Sequence, residues 1–345
     1  MRLEHTGDAI VLENRHLRAT LDAGGRLVGL VEHSCEREAM SAPGNVFELY
    51  DDRPTAYDAW ELEPYHAETR RECPGALRHE ILRDGPLRAE VAFAHRVGEA
   101  STLHQTVRLD AHARRLEFHA TIEWAERHRL LKVVFAVAVR SAAATYEMQF
   151  GVHERPTHVN TAGDLARFEV PGHRFADLSE HGFGVALLTD STYGYSTRGS
   201  EMRLSLLRGP TDPDPQADLG RHELSYAVMP HVGSWQQAAV VAEARRFSEP
   251  MHWVEHDGAG DAFAAVDVPD LVLYTIKLAE EGDALILRLY EAHGGRGTAR
   301  IALGVPVRGA RRATLLEDDG ADLPLRDGAI EVSYSPFELI TIAVR

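Results

Sequence analysis

LRAEVAFAHRVGEASTLHQTVRLDAHARRLEFHATIEWAERHRLLKVVFAVAV, residues 87–139, reads with a period of two. In STLHQTVRLD and RLEFHATIEW apolar and polar residues alternate almost one for one. An extended chain sends successive side chains to opposite faces, so such runs are expected to be strands with one buried face. LRAEVAFAHRV and LKVVFAVAV, rich in Val, Leu and Phe, flank them across short polar breaks. Upstream, RLEHTGDAIVLENRHLRATLD alternates in the same way until AGG, and GRLVGLVEH follows. Downstream come FGVALLTD, MRLSLLRG and HELSYAVMPH, then LVLYTIKLAE, ALILRLYEA, TARIALG, ATLLED and FELITIAV. Helical periodicity is scarce, and QQAAVVAEARRF (236–247) is its best candidate. Evenly spaced strands with Gly and Pro turns indicate an all-β protein built of sandwiches. There are too many strands for one ordinary sandwich, so a large sheet-on-sheet body followed by a smaller one is expected. The stretch SEPMHWVEHDGAGDAFAAVDVP is polar, carries glycines and two prolines, and lacks alternation. It sets the expected division: 1–250, a linker at 251–268, and 269–345.

The chain has 345 residues, is 44% hydrophobic and 26% charged, and carries a formal charge of −16. Nucleic-acid backbones and anionic membranes require a basic face, so neither is expected as a partner. A neutral ligand such as a sugar is compatible with that charge. The two cysteines, Cys35 and Cys73, fit a reducing compartment, and the N-terminal residues carry no apolar signal core. A cytoplasmic location is the expectation. Basic residues are almost all Arg; Lys occurs only at Lys132 and Lys277.

Three polar stretches are candidates for chemistry. GNVFELYDDRPTAYDAWELEPYHAETRRE (44–72) sets Asp51, Asp52, Asp58, Glu61, Glu63 and Glu68 beside Tyr57, Trp60, Tyr65 and His66. Carboxylates hold vicinal hydroxyls and aromatic faces stack on pyranose rings, so a sugar-facing surface is one reading. An exposed acidic turn with Trp60 plugged into the core is the other. Residues 149–180 form a polar stretch with His153, His158 and His173, whose spacing fits no compact metal-ligand motif. Residues 206–233 bring Asp212, Asp214 and Asp218 together, without the central Gly and terminal Glu of a calcium loop; the prolines there stiffen a loop. Nucleophile-elbow, phosphate-loop, dinucleotide, H-E-x-x-H and C-x-x-C motifs are all absent.

Read in order, GNVFELYDDRPTAYDAWELEPYHAETR, ATYEMQFGVHERPTHVNT, ARFEVPGHRFADLSEHGFGVALLTDSTYGYSTRG, LSLLRGPTDPDPQADLGRHELSYAVMPHVGSW, LRLYEAHGG and SPFELITIAV resemble the C-terminal region of glycoside hydrolase family 38 α-mannosidases of the cytosolic and bacterial type. The resemblance runs from about Gly44 to the end. It implies a galactose-mutarotase-like supersandwich followed by a smaller β-sandwich. It also implies retaining hydrolysis of α-mannosides with zinc or another divalent cation, carried by an N-terminal α/β barrel-like domain followed by a three-helix bundle. The metal ligands and catalytic carboxylates of that domain match nothing here, so neither a catalytic residue nor a metal ligand is expected in this chain. Asp58 and Trp60 match the family's DAW positions, and Arg167 and Glu169 its ARFEV segment; the resemblance implies that they wall the sugar site. Tyr57 and Phe175 stand where Trp is usual. The implied partners are a mannose-containing saccharide and the catalytic domain; association with further copies of the chain is compatible with the sequence. Two alternatives stay open: a carbohydrate-binding module, and a stand-alone aldose mutarotase or epimerase using a His among His104, His119 and His222 with a carboxylate base.

Overall fold

A computed structural model describes residues 1–7, 9–255 and 262–345. The alternating run at 101–110 is the strand Ser101–Asp110, with Leu103, Val107 and Leu109 buried and His104 exposed. It lies in a nine-stranded antiparallel sheet of order Gly151–Pro156, Ala143–Met148, Phe175–Glu180, Phe183–Thr189, Gly220–Val232, Leu116–Trp124, Ser101–Asp110, Arg88–Val97 and Arg78–Asp84. A six-stranded sheet runs Val170–Pro171, Gly194–Arg198, Glu201–Arg208, Arg129–Ala136, Val46–Asp51 and Arg71–Glu72. The N-terminal alternation makes a five-stranded sheet from Arg2–Thr6 to Arg37–Glu38. One apolar core joins the three, including Leu21, Leu103, Val133, Leu204 and Val228. Phe118 of the nine-stranded sheet meets Phe135 of the six-stranded sheet, ring centroids 5.7 Å apart, and stacks on Tyr226 at 5.1 Å. Burying such rings side by side is the main driving force for sheet-on-sheet packing.

The interior also holds polar groups, and several of them are partnered. Gln105, Asn45 and Tyr226 close a ring: Asn45 Nδ2 donates to Gln105 Oε1 at 2.7 Å, Gln105 Nε2 to Tyr226 Oη at 2.7 Å, and Tyr226 Oη to Asn45 Oδ1 at 2.7 Å. His231 and Asp177 are paired at 2.8 Å, with both side chains at most 1% exposed. His95 is not. It is 4% exposed, lies 5.1 Å from the Phe47 ring, and neither ring nitrogen has a hydrogen-bond partner. Burial pulls its imidazole from 6.5 down to about 4. The folded state therefore refuses a proton that the unfolded chain accepts. Stability on this account is intact above pH 6.5 and is lost as pH falls from 6.5 towards about 4. Between pH 7 and pH 5 the loss is expected to be about 2 kcal/mol, at 1.36 kcal/mol per pH unit below the unfolded value. Urea unfolding of wild type and His95→Leu at both pH values checks it: the pH dependence should shrink by that amount in the variant.

The chain divides into two compact units, Met1–Tyr146 with Glu154–Pro250, and Glu147–His153 with Met251–Arg345. In the second, a five-stranded and a four-stranded sheet enclose Leu287, Leu289, Ile301, Val332, Ile340 and Ile342. Glu291, fully buried, accepts the backbone N–H groups of His293, Gly294, Gly295 and Phe337 at 2.8–2.9 Å and so ties two loops together. Residues 256–261 of the expected linker lie outside the described residues, and Ala264–Val266 is a strand paired with Gly297–Leu303.

Three local readings change. ATLLED is not a strand: Thr314 N bonds Asp318 O at 3.0 Å and its hydroxyl accepts Asp318 N at 3.2 Å, closing a turn that leaves Leu315 and Leu316 exposed. The helix read at 236–247 is Val240–Ser248, because Ala239 sits at φ 57° and delays the first helical turn. The polar stretch 149–180 is partly regular structure, including the strand Phe175–Glu180 and the short helix Ala162–Ala166, capped by Thr161 and Asp164.

Candidate functional site

The outward face of the six-stranded sheet collects the polar stretches. Its cross-strand row is Glu48–Lys132–Ser205–Gly194. Lys132, 2% exposed, pairs with Glu169 from the loop above, and Glu169 takes a second hydrogen bond from Ser205 Oγ at 2.5 Å. Gly194 makes room: a Cβ there would sit 3.1 Å from Glu169 Oε1. Glu48 accepts from Arg203 Nε and Arg70 Nη1, each at 2.8 Å, and from the Tyr50 hydroxyl. Burial works against its charge, but these three donors win and hold it below the usual carboxylate range. Burial and the Glu48 carboxylate push the Tyr50 phenol up in turn.

The acid-aromatic stretch folds over this face. Pro64–Thr69 forms a 3-10 turn that presses His66 down, 5.3 Å from the Tyr50 ring and 5.7 Å from the Phe168 ring. Burial, then the nearby Lys132 charge, keeps His66 below its ordinary value. Its Nδ1 lies 2.8 Å from the Glu63 carbonyl, an acceptor only, so Nδ1 carries the proton. The preceding turn, 57–61, is held from below by Arg208. Its guanidinium donates to the carbonyls of Glu61 at 2.7 Å, Asp58 at 3.2 Å and Ala59 at 3.4 Å, while Nε donates to Asp52 Oδ2 at 2.7 Å. The Asp52 side chain is 2% exposed.

The four residues implied as sugar-facing are placed differently. Asp58 points inward: its Oδ2 accepts Thr211 N at 2.5 Å, Thr211 Oγ1 at 3.1 Å and Asp212 N at 3.2 Å. Burial opposes its charge, yet the Thr211 donors and the nearby His128 keep its carboxyl below the usual range. Trp60 projects outward, 69% exposed, beside Tyr57 at 68%. The alternative that plugged Trp60 into the core is thereby corrected: Trp60 N and Glu61 N both bond the Tyr57 carbonyl, and the tight turn aims the indole at solvent. Arg167 is exposed, its guanidinium 3.7 Å from Asp164. Glu169 lines a groove of about 520 Å3 with Leu62, Phe168, Tyr193, Arg208 and His222. The face therefore offers one aromatic-edged groove with exposed aromatic rings on the turn at 57–61. Lys132, Ser205 and Arg208 were not anticipated. The one signal for Lys132 was a lone lysine in an apolar strand.

The other candidates serve local structure. Asp214 accepts Gln216 N at 2.9 Å, and His222 Nε2 bonds the Asp218 carbonyl at 2.8 Å. Among the described residues no three His, Cys, Asp or Glu side chains converge on a metal position. No described helix is long and apolar enough to cross a membrane.

Residues 12–216 match the glycosyl hydrolases family 38 C-terminal domain, and residues 270–342 the glycosyl hydrolases family 38 C-terminal beta sandwich domain. Alpha-mannosidase 2C1 of Homo sapiens is 43% identical over 352 residues, spanning 99% of this chain and 34% of its own length. Alpha-mannosidase G of Dictyostelium discoideum is 34% identical, spanning 97% of this chain and 32% of its own. In fold, an alpha-mannosidase from Enterococcus faecalis V583 superposes with a TM-score of 0.78 at 14% identity over 97% of this chain and 42% of that one. The chain thus spans about a third of the length of the curated relatives it matches.

Proposed function

Because the chain belongs to glycosyl hydrolase family 38, as that family's C-terminal β region, we propose that it is the non-catalytic portion of a retaining, metal-dependent α-mannosidase of the cytoplasm. In this reading the supersandwich, residues 1–250, and the smaller sandwich from residue 269 buttress a catalytic domain supplied by other polypeptide. The groove beside Glu169 and the aromatic turn at Trp60 form one wall of its mannoside site.

The observation that carries the reading is how the fixed carboxylates of this face are committed. Asp52 is held by Arg208, Asp58 by Thr211, Glu169 by Lys132 and Ser205, and Glu48 by Arg203, Arg70 and Tyr50. Retaining cleavage requires two carboxyl groups about 5–5.5 Å apart, one free to attack and one free to hand over a proton. A carboxylate already held by cations and donors is a weaker nucleophile and a weaker general base. Among the described residues no three His, Cys, Asp or Glu side chains fit a zinc or other divalent site. What this face supplies is shape, a stacking ring and fixed charge. The two His of the epimerase alternative that share a sheet face, His104 and His119, lie on the other sheet, and His222 is turned to the opposite side of its strand from Glu223 and Ser225.

Co-expression of residues 1–345 with the N-terminal two thirds of a long relative tests the proposal. A stable complex with α-mannosidase activity is the expected result, and no association would count against it. Within that complex Trp60→Ala is expected to lower kcat/KM about tenfold, chiefly through KM, since an exposed ring lends uniform binding rather than transition-state binding. Steady-state kinetics on an aryl α-mannoside reads the split, and an unchanged KM would remove Trp60 from the wall.

A further inference from the structure

The outward face of the nine-stranded sheet carries a second groove, of about 540 Å3. Its floor is two cross-strand rows, read across five strands. One is Arg78–Ala94–His104–Thr121–Glu223 and the next is Glu80–Ala92–Thr106–His119–Ser225. Ala92 and Ala94 make the depression, between Glu90 and Arg96 on the same face of their strand. The adjoining row is closed to any ligand, because its charges satisfy one another: Arg108 and Arg83 each reach Glu90 at 2.8 Å, and Arg115 reaches Glu117 at 2.8 Å. The groove rows are different. Among the described residues, Arg78, Glu80, His104, Thr106 and Thr121 make no side-chain hydrogen bond or ion pair. His119 is set in place between Glu117 Oε2, 3.1 Å from its Nε2, and Ser225 Oγ, 3.0 Å from its Nδ1.

Donors and acceptors thus converge in two rows, with neighbouring strands about 4.8 Å apart, a spacing that suits the hydroxyls of a sugar ring. In the lining the one guanidinium, Arg78, is outnumbered by the carboxylates of Glu80, Glu223 and Asp190, so an anion is disfavoured. The two rows carry no apolar side chain larger than alanine, so an apolar ligand gains little there. We propose that this groove binds a neutral saccharide, of one or two rings by its volume. The inference does not depend on the reading of the six-stranded face.

The test uses residues 1–345 with 13C-labelled histidine, titrated with methyl α-mannoside and with mannobiose. The His104 and His119 imidazole signals are expected to shift saturably, with dissociation constants in the millimolar range. Ala94→Trp, which fills the depression at a partly exposed position, should abolish the shift while unfolding is unchanged; Ala92→Leu is the milder filler if the first fails to fold. Trp60→Ala should leave the shift intact. Three results overturn the proposal: no shift with either sugar, a shift that survives filling of the groove, or a shift lost in Trp60→Ala, which would place the sugar on the other sheet.

Discussion

Replacing Lys132 by Met is expected to cost about 3–5 kcal/mol, the scale for removing one partner of a buried ion pair and stranding the other. The side chain is 2% exposed, and Glu169 above it is 16% exposed and, among the described residues, keeps the Ser205 hydrogen bond once Lys132 is gone. The strained product is the uncompensated carboxylate, rather than a cavity, because Met matches the length of the Lys stem. The double variant Lys132→Met with Glu169→Gln is therefore expected to recover most of the loss: the amide keeps the Ser205 hydrogen bond and carries no charge. Urea unfolding of the two variants separates this from simple packing. Equal destabilisation of single and double variants would show that the charge pair is not what holds the loop at 167–169 onto the sheet.

Arg208→Ala is the second large effect, expected at about 3 kcal/mol since Asp52 would be left buried without its cation. It also removes three hydrogen bonds to the turn carrying Trp60. Amide exchange at Trp60 and Glu61 should speed up more than tenfold while the strand Ser101–Asp110 keeps its protection. Arg208→Lys should restore part of the stability but not the exchange protection, because an ammonium cannot span Asp52 and three carbonyls at once. If the turn stays protected in Arg208→Ala, it is held by its own local bonds and Arg208 is only a counter-ion.

Much of the fold was legible because its cause is local. Alternation in STLHQTVRLD follows from which face is buried, and the strand Ser101–Asp110 has the bounds of that run. ATLLED misled because its Leu residues read as core, whereas the Thr314–Asp318 side-chain bonds bend the chain first. The site was harder, because its partners are remote. Glu169 meets Lys132 across 37 residues and Asp58 meets Thr211 across 153. A motif names Asp58 as important but cannot say whether its carboxylate faces a sugar or a backbone N–H; here it faces the backbone. Trp60 shows the opposite outcome, since only the turn geometry sends it outward. The resemblance singled out these loops, and the geometry divides their residues into those that anchor, such as Asp58, and those that remain presented, such as Trp60.

The proposed role of this chain is to shape a mannoside site whose reactive groups lie in other polypeptide. The most direct measurement is release of the aryl group from an aryl α-mannoside by purified residues 1–345 alone, with zinc or cobalt supplied. The expected result is a rate no greater than the buffer blank. Turnover that scales with the concentration of this chain, and that falls when a carboxylate such as Glu169 is replaced by its amide, would contradict the account.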